Sequence, residues 1–205
     1  MYNFFILIYY QIISFLNFIL FFTLYLYRAM GGSVPFDVAL ENRLRIINPT
    51  QTILNNFLKH HPFYFTPGIE KVILYLQSRS IPVYLISGGF TQMIYPVADY
   101  LKISRDNVYA NTILFDKHTG NYNGFDRTAP TSRDGGKAEV IRLLKSKYNY
   151  KSLIMVGDGA TDLQARPPAD LMIGYGGIIV RETVAKGADW FVRDFHTVLE
   201  QLQKK

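Results

Sequence analysis

Cysteine is missing from all 205 residues, which excludes disulfides and thiol chemistry while leaving the compartment open. No stretch interleaves basic and aromatic residues densely, so a nucleic-acid surface is set aside, although 22 Lys+Arg against 16 Asp+Glu give a net charge of +6. The positive charges are scattered and favour a small anionic substrate only weakly. No internal repeat or low-complexity linker follows residue 28. Charge is also absent from Met1 to Tyr27, a run of Phe, Ile, Leu and Tyr.

That run exceeds the roughly 20 apolar residues needed to cross a bilayer, so a transmembrane or signal-anchor segment is physically allowed. A cleavable signal peptide fits poorly: the first charge is Arg28, and neither Ala nor Gly occurs in the run. The expectation placed first is that residues 1–27 are mispredicted, since Phe, Ile, Leu, Tyr and Asn are what AT-rich non-coding DNA yields on translation. A membrane partner is expected only if that segment is real.

From residue 28 the chain reads as soluble. Its 49% hydrophobic content suffices for one α/β core with a small accessory part. Phe36, Val38, Leu40, Leu44 and Ile47 recur at helical spacing after Pro35, and Ile53, Leu54, Phe57 and Leu58 do so after Asn48-Pro49-Thr50. His60-His61-Pro62 ends the second helix. These two suggest a partial helical cap over 28–65. From Thr66 onward, helix and apolar run alternate: Ile69 to Gln77 leads into a strand Ile81 to Ile86, then a helix Thr91 to Leu101. A run Asn107 to Phe115 follows, with Asn121-Tyr122-Asn123-Gly124 as the turn of a hairpin. A helix Ala138 to Lys147 and strands Ser152 to Val156 and Asp170 to Gly174 complete a core over 66–205. The alternation indicates a Rossmann-like, doubly wound, mostly parallel sheet.

Open sheets of this kind bind ligands beyond the carboxyl ends of their strands. Val156-Gly157-Asp158-Gly159-Ala160-Thr161-Asp162 puts two carboxylates four residues apart at a strand-to-helix turn, hard oxygen donors that suit Mg²⁺. An ordinary Asp-Gly turn capping a helix is the plain alternative. A dinucleotide fingerprint is disfavoured, because Asp162 stands where its third glycine belongs and would repel a pyrophosphate. Tyr84 to Phe90 ends a strand in Ser87-Gly88-Gly89, where a hydroxyl and successive N–H groups can cradle phosphoryl oxygens, although such an ending is more often just a turn. Asp134-Gly135-Gly136-Lys137 sets a lysine at a helix start, where both favour an anion. It is not a P-loop, for no Ser or Thr follows the lysine.

In chain order these segments resemble the serine, lysine and acidic motifs of the haloacid dehalogenase superfamily. Arg28 to Phe36, Tyr84 to Phe90, Met155 to Asp162 and Arg166 to Asp170 are similar to animal-type phosphoserine phosphatases in particular, and the likeness runs from Arg28 to the C-terminus. The resemblance implies a cytoplasmic, Mg²⁺-dependent hydrolysis of phosphoserine or a similar small phosphomonoester, the last step of serine synthesis. It leaves a homodimer open. Asp158 would ligate the metal and Asp162 support it. Ser87 and Gly88 would hold the phosphoryl group and Lys137 neutralise it, making Ser87 and Lys137 the catalytic residues present. Arg43 would grip the substrate carboxylate, with a plain surface arginine as the alternative, and Met30 and Gly31 would shape the pocket.

The same resemblance implies a nucleophilic Asp and a general acid/base Asp in a D-x-D motif at the end of a central first strand. No D-x-D occurs in the sequence, and the acidic cap residue for the substrate amine is absent with it. The expectation is therefore a sheet whose central strand is missing or replaced, and a chain that is inactive as given. Asn3 to Tyr10 could imitate that strand without restoring chemistry, but a helix or membrane segment is preferred for it. Ile113 to Gly120 superficially matches the phosphorylation motif of ion pumps and is read instead as a hairpin arm. The alternative function is a non-catalytic binder of phosphoserine or phosphate, tethered to a membrane if the N-terminus is real.

Overall fold

The computed structural model describes residues 3–4 and 34–204. Most of the uncharged N-terminal run, together with Met30 and Gly31, lies outside the described residues. After a short strand β1 (Asn3–Phe4) come helices α1 (Phe36–Ile47), α2 (Gln51–His60) and α3 (Ile69–Ser78), strand β2 (Leu85–Phe90) and α4 (Thr91–Tyr100). Strands β3 (Val108–Asn111), β4 (Ile113–Phe115) and β5 (Tyr122–Phe125) precede α5 (Gly136–Tyr148). The chain continues through β6 (Leu153–Gly157), α6 (Ala160–Leu163), β7 (Leu171–Tyr175), α7 (Glu182–Gly187), β8 (Trp190–Val192) and α8 (Phe195–Gln203). Two 3₁₀ turns, Arg105–Asn107 and Pro130–Ser132, lie between β2 and α5.

Strands β6, β7 and β8 are parallel neighbours, and β2 pairs in parallel with β3. The far side of β6 is taken by β1 (Asn3–Phe4), also parallel, with Asn3 opposite Leu153 and Phe4 opposite Ile154. At these two residues Asn3–Phe4 thus occupies the flank of β6 on which the missing central strand is expected. At Asn3–Phe4 the backbone is strand and gives β6 a ladder partner for its N–H and C=O groups, while the rest of the segment for which a helix or membrane run is preferred lies outside the described residues. Among the described residues no helix is long and apolar enough to cross a membrane.

Alternation along the strands explains the layering. Leu153, Met155 and Met172 face a cluster with Val140, Ile141 and Leu144 of α5, whereas Val156 and Ile173 face one with Ile69, Val72, Ile73 and Leu76 of α3 and Phe195 and Val198 of α8. Successive side chains leave opposite faces of a strand, so both faces are covered by helices, as the doubly wound reading requires. Each fully buried Leu or Ile contributes roughly 1.5–3 kcal/mol by leaving water. A third cluster joins Leu40 and Leu44 of α1 to Ile113 and Phe125 of the hairpin.

Three local expectations need correction. The strand expected at 81–86 enters its ladder only at Leu85, opposite Val108, and runs through the serine-glycine segment. The run 107–115 is two strands, since β3 pairs with β2 whereas β4 pairs antiparallel with β5. Within that hairpin the turn is not 121–124, because Tyr122–Phe125 is strand. The Asp116 carboxylate accepts from His118 N (3.0 Å), Thr119 N (2.8 Å) and Thr119 Oγ1 (2.9 Å), so the aspartate supplies the turn locally. These bonds occupy Asp116 in a structural role, in line with reading Ile113 to Gly120 as a hairpin arm. His60 and His61 end α2, their Nδ1 atoms bonded to the carbonyls of Asn56 (2.8 Å) and Phe57 (3.1 Å).

Candidate active site

The carboxyl ends of β2 and β6 carry the two segments singled out in the sequence. At β6 the backbone turns sharply after Gly157, and Asp162, in the first turn of α6, folds back over it. A Cβ at Gly157 would sit 2.3 Å from Asp162 Cγ, so only glycine lets that carboxylate lie there. Asp162 Oδ2 accepts from Gly159 N at 2.9 Å, and Oδ1 accepts from Lys137 Nζ at 2.5 Å. The pair is enclosed, with side-chain exposures of 1% for Asp162 and 10% for Lys137. Burial pushes the Asp162 carboxyl above its ordinary range, against the pull of the Lys137 ammonium and the Gly159 N–H.

Lys137 reaches this carboxylate because α5 begins only one residue earlier, packed against the 3₁₀ turn Pro130–Ser132. A Cβ at Gly136 would lie 2.0 Å from the Pro130 carbonyl oxygen, which makes glycine necessary at that junction. Asp158 is the more open carboxylate. Its Oδ2 accepts from Arg181 Nη1, which also donates to the Asp158 carbonyl at 2.9 Å. Asp158 Oδ1 is buried and has no hydrogen-bond partner among the described residues. A buried carboxylate oxygen without a partner is costly unless a cation or donor meets it. The open Oδ1 of Asp158 could accept a hard cation such as Mg²⁺, whereas both oxygens of Asp162 are engaged by Lys137 and Gly159, and no group of three or more potential ligands occurs among the described residues.

Arg181 did not emerge from the sequence reading. The signal was present: it follows Gly176-Gly177 just beyond the carboxyl end of β7, the position that made Ser87 and Asp158 candidates.

At β2 the polar groups are neutral. Ser87 Oγ accepts from Gly89 N at 3.0 Å, and the Gly88 carbonyl accepts from Asn111 Nδ2 at 2.8 Å. The first cap helix reaches this loop, for a Cβ at Gly88 would stand 3.4 Å from Phe36 Cζ. Arg43 lies over the same Phe36 ring, 5.8 Å from its centroid. Its Nε donates to the Ala39 carbonyl at 3.1 Å, and no carboxylate pairs with it among the described residues. Burial lowers the Arg43 pKa from its ordinary value. Neighbouring Arg45 is instead exposed and paired with Glu41 at 3.0 Å, the behaviour of a surface arginine. Around the strand ends stand three cations, Lys137, Arg181 and Arg43, with the carboxylates of Asp158, Asp162 and, bonded to Phe36 N at 3.1 Å, Asp134.

The haloacid dehalogenase-like hydrolase family matches residues 20–165, and the chain belongs to it. Within that class its place is among the phosphoserine phosphatases, the enzymes to which most of its length is similar. It is 46% identical over 177 residues to phosphoserine phosphatase of Bos taurus, covering 86% of this chain and 78% of that protein. It is 48% identical over 177 residues to the chloroplastic phosphoserine phosphatase of Arabidopsis thaliana, covering 85% of this chain and 60% of the other. Among solved structures, a phosphoserine phosphohydrolase-like protein from Francisella tularensis superposes with a TM-score of 0.77 at 25% identity, covering 99% of this chain and 100% of the other.

Proposed function

We propose that the strand-end cluster is the phosphoserine-binding part of a Mg²⁺-dependent phosphoserine phosphatase site. The observation that carries this reading is the buried Lys137–Asp162 pair beside the unpartnered Oδ1 of Asp158. Ser87 and the loop N–H groups receive the phosphoryl oxygens, and Lys137 supplies an ammonium close by, already held in place by Asp162. Arg43, without an acidic partner, receives the substrate carboxylate through its planar fork. Helices α1 and α2 act as the cap that brings Arg43 over the loop. Asp158, with Asp162 behind it, would hold Mg²⁺, which would supply positive charge for a bound phosphoryl group.

The family's hydrolysis of O-phospho-L-serine to L-serine and phosphate needs an aspartate nucleophile and a second aspartate as acid and base. No Asp precedes Asp37 in the sequence, and the strand beside β6 is Asn3–Phe4. The chain as given therefore binds phosphoserine without turning it over. If residues 1–27 are a membrane segment, it does so as a tethered binder.

Calorimetric titration of the full chain with phosphoserine in Mg²⁺, run beside a phosphate-release assay, tests this. Binding without release is expected. Arg43→Ala should weaken phosphoserine by about 10- to 100-fold, the range of a lost charge-assisted hydrogen-bond pair, while inorganic phosphate binds as before. Phosphate release by the unaltered chain, or equal loss of both ligands in Arg43→Ala, would overturn it.

A further inference from the structure

We infer that Asn111 is a positioning residue for the phosphoryl site, fixing the peptide that orients the Ser87 hydroxyl and tying that loop to the element that carries Lys137. The inference rests on the proposed phosphoryl site and adds to it a residue that touches no ligand.

The β2–β3 ladder breaks at this loop. Ile86 faces Tyr109 and Phe90 faces Asn111, so Ser87, Gly88 and Gly89 stand opposite Ala110 alone. A bulge of this size strips its backbone groups of ladder partners, and buried groups must find others. Asn111, the last residue of β3 and fully buried at 0% exposure, supplies one by donating from Nδ2 to the Gly88 carbonyl at 2.8 Å.

That bond constrains more than a carbonyl. The Gly88 C=O and the Gly89 N–H belong to one planar trans peptide and point in opposite directions. With the carbonyl held by Asn111, the N–H is aimed at Ser87 Oγ, 3.0 Å away. Once Ser87 Oγ accepts this bond, its own hydrogen is free to be donated elsewhere, which is the polarity a phosphoryl oxygen requires. Glycine at 88 and 89 leaves the peptide without side chains that would lock it, so the orientation must come from outside the loop.

The amide cannot face the other way. A carbonyl only accepts, so Nδ2 must face Gly88 and Oδ1 must face Thr131, whose Oγ1 donates to it at 3.0 Å. Thr131 is 4% exposed and belongs to the 3₁₀ turn against which Gly136 and the start of α5 are pressed. One buried amide thus joins the neutral half of the phosphoryl site to the segment that delivers Lys137.

The test uses the full chain and inorganic phosphate in Mg²⁺, read by calorimetry, with hydrogen exchange at the Gly89 amide followed by NMR. Asn111→Asp keeps shape and volume but sets a carboxylate against the Gly88 carbonyl. Phosphate affinity should fall by about tenfold or more, and Gly89 exchange should quicken by a similar factor. Ser87→Ala combined with Asn111→Asp should weaken phosphate less than the product of the two single effects, since both act through one hydroxyl. An additive loss would mark Asn111 as structural only and overturn the inference. Thr131→Val serves if Asn111→Asp does not fold: it should quicken Gly89 exchange and weaken phosphate affinity several-fold, with Thr131→Ser restoring both. Equal phosphate affinity and equal Gly89 exchange in Thr131→Val, Thr131→Ser and the unaltered chain would also overturn the inference. If the unaltered chain fails to bind phosphate while Gly89 exchange still depends on Asn111 and Thr131, the binding site is refuted and the loop-positioning role stands.

Discussion

The two strand ends that form the site solve the same problem by different means. Beyond β6 the groups are charged and ion-paired, Asp162 with Lys137 and the Oδ2 of Asp158 with Arg181, while Asp158 Oδ1 has no partner among the described residues. Beyond β2 they are neutral, a serine hydroxyl and glycine peptides whose orientation comes from hydrogen bonds within the loop and from Asn111. The charged end depends on pairing for its stability, because an ion stripped of its partner in a buried place is expensive. The neutral end depends on pairing for its geometry. Damage at β6 should therefore be felt first as lost folding free energy, and damage at β2 as lost binding.

The largest effect is expected where a buried ion is left alone. Lys137→Met keeps the length of the side chain and removes the charge, leaving Asp162, 1% exposed, with only the Gly159 N–H. A loss of about 3–5 kcal/mol at pH 7 is expected, measured by urea unfolding. A loss under 1 kcal/mol would show that the two ends do not differ as described.

The pH dependence of that variant sharpens the contrast. Burial raises the Asp162 carboxyl above 3.8 in the folded chain, and removing Lys137 takes away the largest opposing influence. An acid whose folded pKa is raised binds its proton more tightly when folded, so its cost to stability applies above that pKa and disappears below the unfolded value. The deficit of Lys137→Met should accordingly shrink as pH is lowered from 7 towards 4, as Asp162 takes up a proton. Unfolding curves of both proteins at pH 7, 5 and 4 check this, and a deficit that stays constant would rule out Asp162 as its origin.

How much of this was legible in the sequence follows the same division. Ser87, Gly88, Asp158 and Asp162 could be found because each follows a short apolar run, and strand ends are where such sheets bind ligands. Lys137 could be suspected from its helix start, but not its bond to Asp162, 25 residues away, which exists only because Gly157 lets the carboxylate fold back. Arg181 was missed although its place beyond a strand and two glycines was a signal, because its partner Asp158 lies 23 residues earlier and their pairing is a tertiary contact. Asn111 was invisible for a deeper reason: its meaning comes from a ladder irregularity between two strands, and period-two alternation is silent about register. The hairpin turn was misplaced because Asn and Gly mark turns statistically, while here the Asp116 side chain made the turn five residues earlier. In β2 the apolar run began before the strand did, since Val83 and Tyr84 are buried but precede Leu85–Phe90.

The smallest expected change in stability belongs to Ser87→Ala, and it bears most directly on the comparison. Ser87 is only part-buried, and among the described residues its hydroxyl is bonded by the Gly89 N–H, so deletion leaves that donor to be satisfied by water. Unfolding free energy should move by about 1 kcal/mol or less. Phosphate affinity should fall by about five- to tenfold, the worth of one neutral donor to a charged acceptor. Seen beside Lys137→Met, the ordering of the two readouts inverts: the neutral end loses binding with little loss of fold, the charged end loses fold before binding can be compared. If Ser87→Ala instead destabilised the chain as much as Lys137→Met and left phosphate affinity unchanged, the loop beyond β2 would be a structural turn, and the phosphoryl site would have to be sought at the β6 end alone.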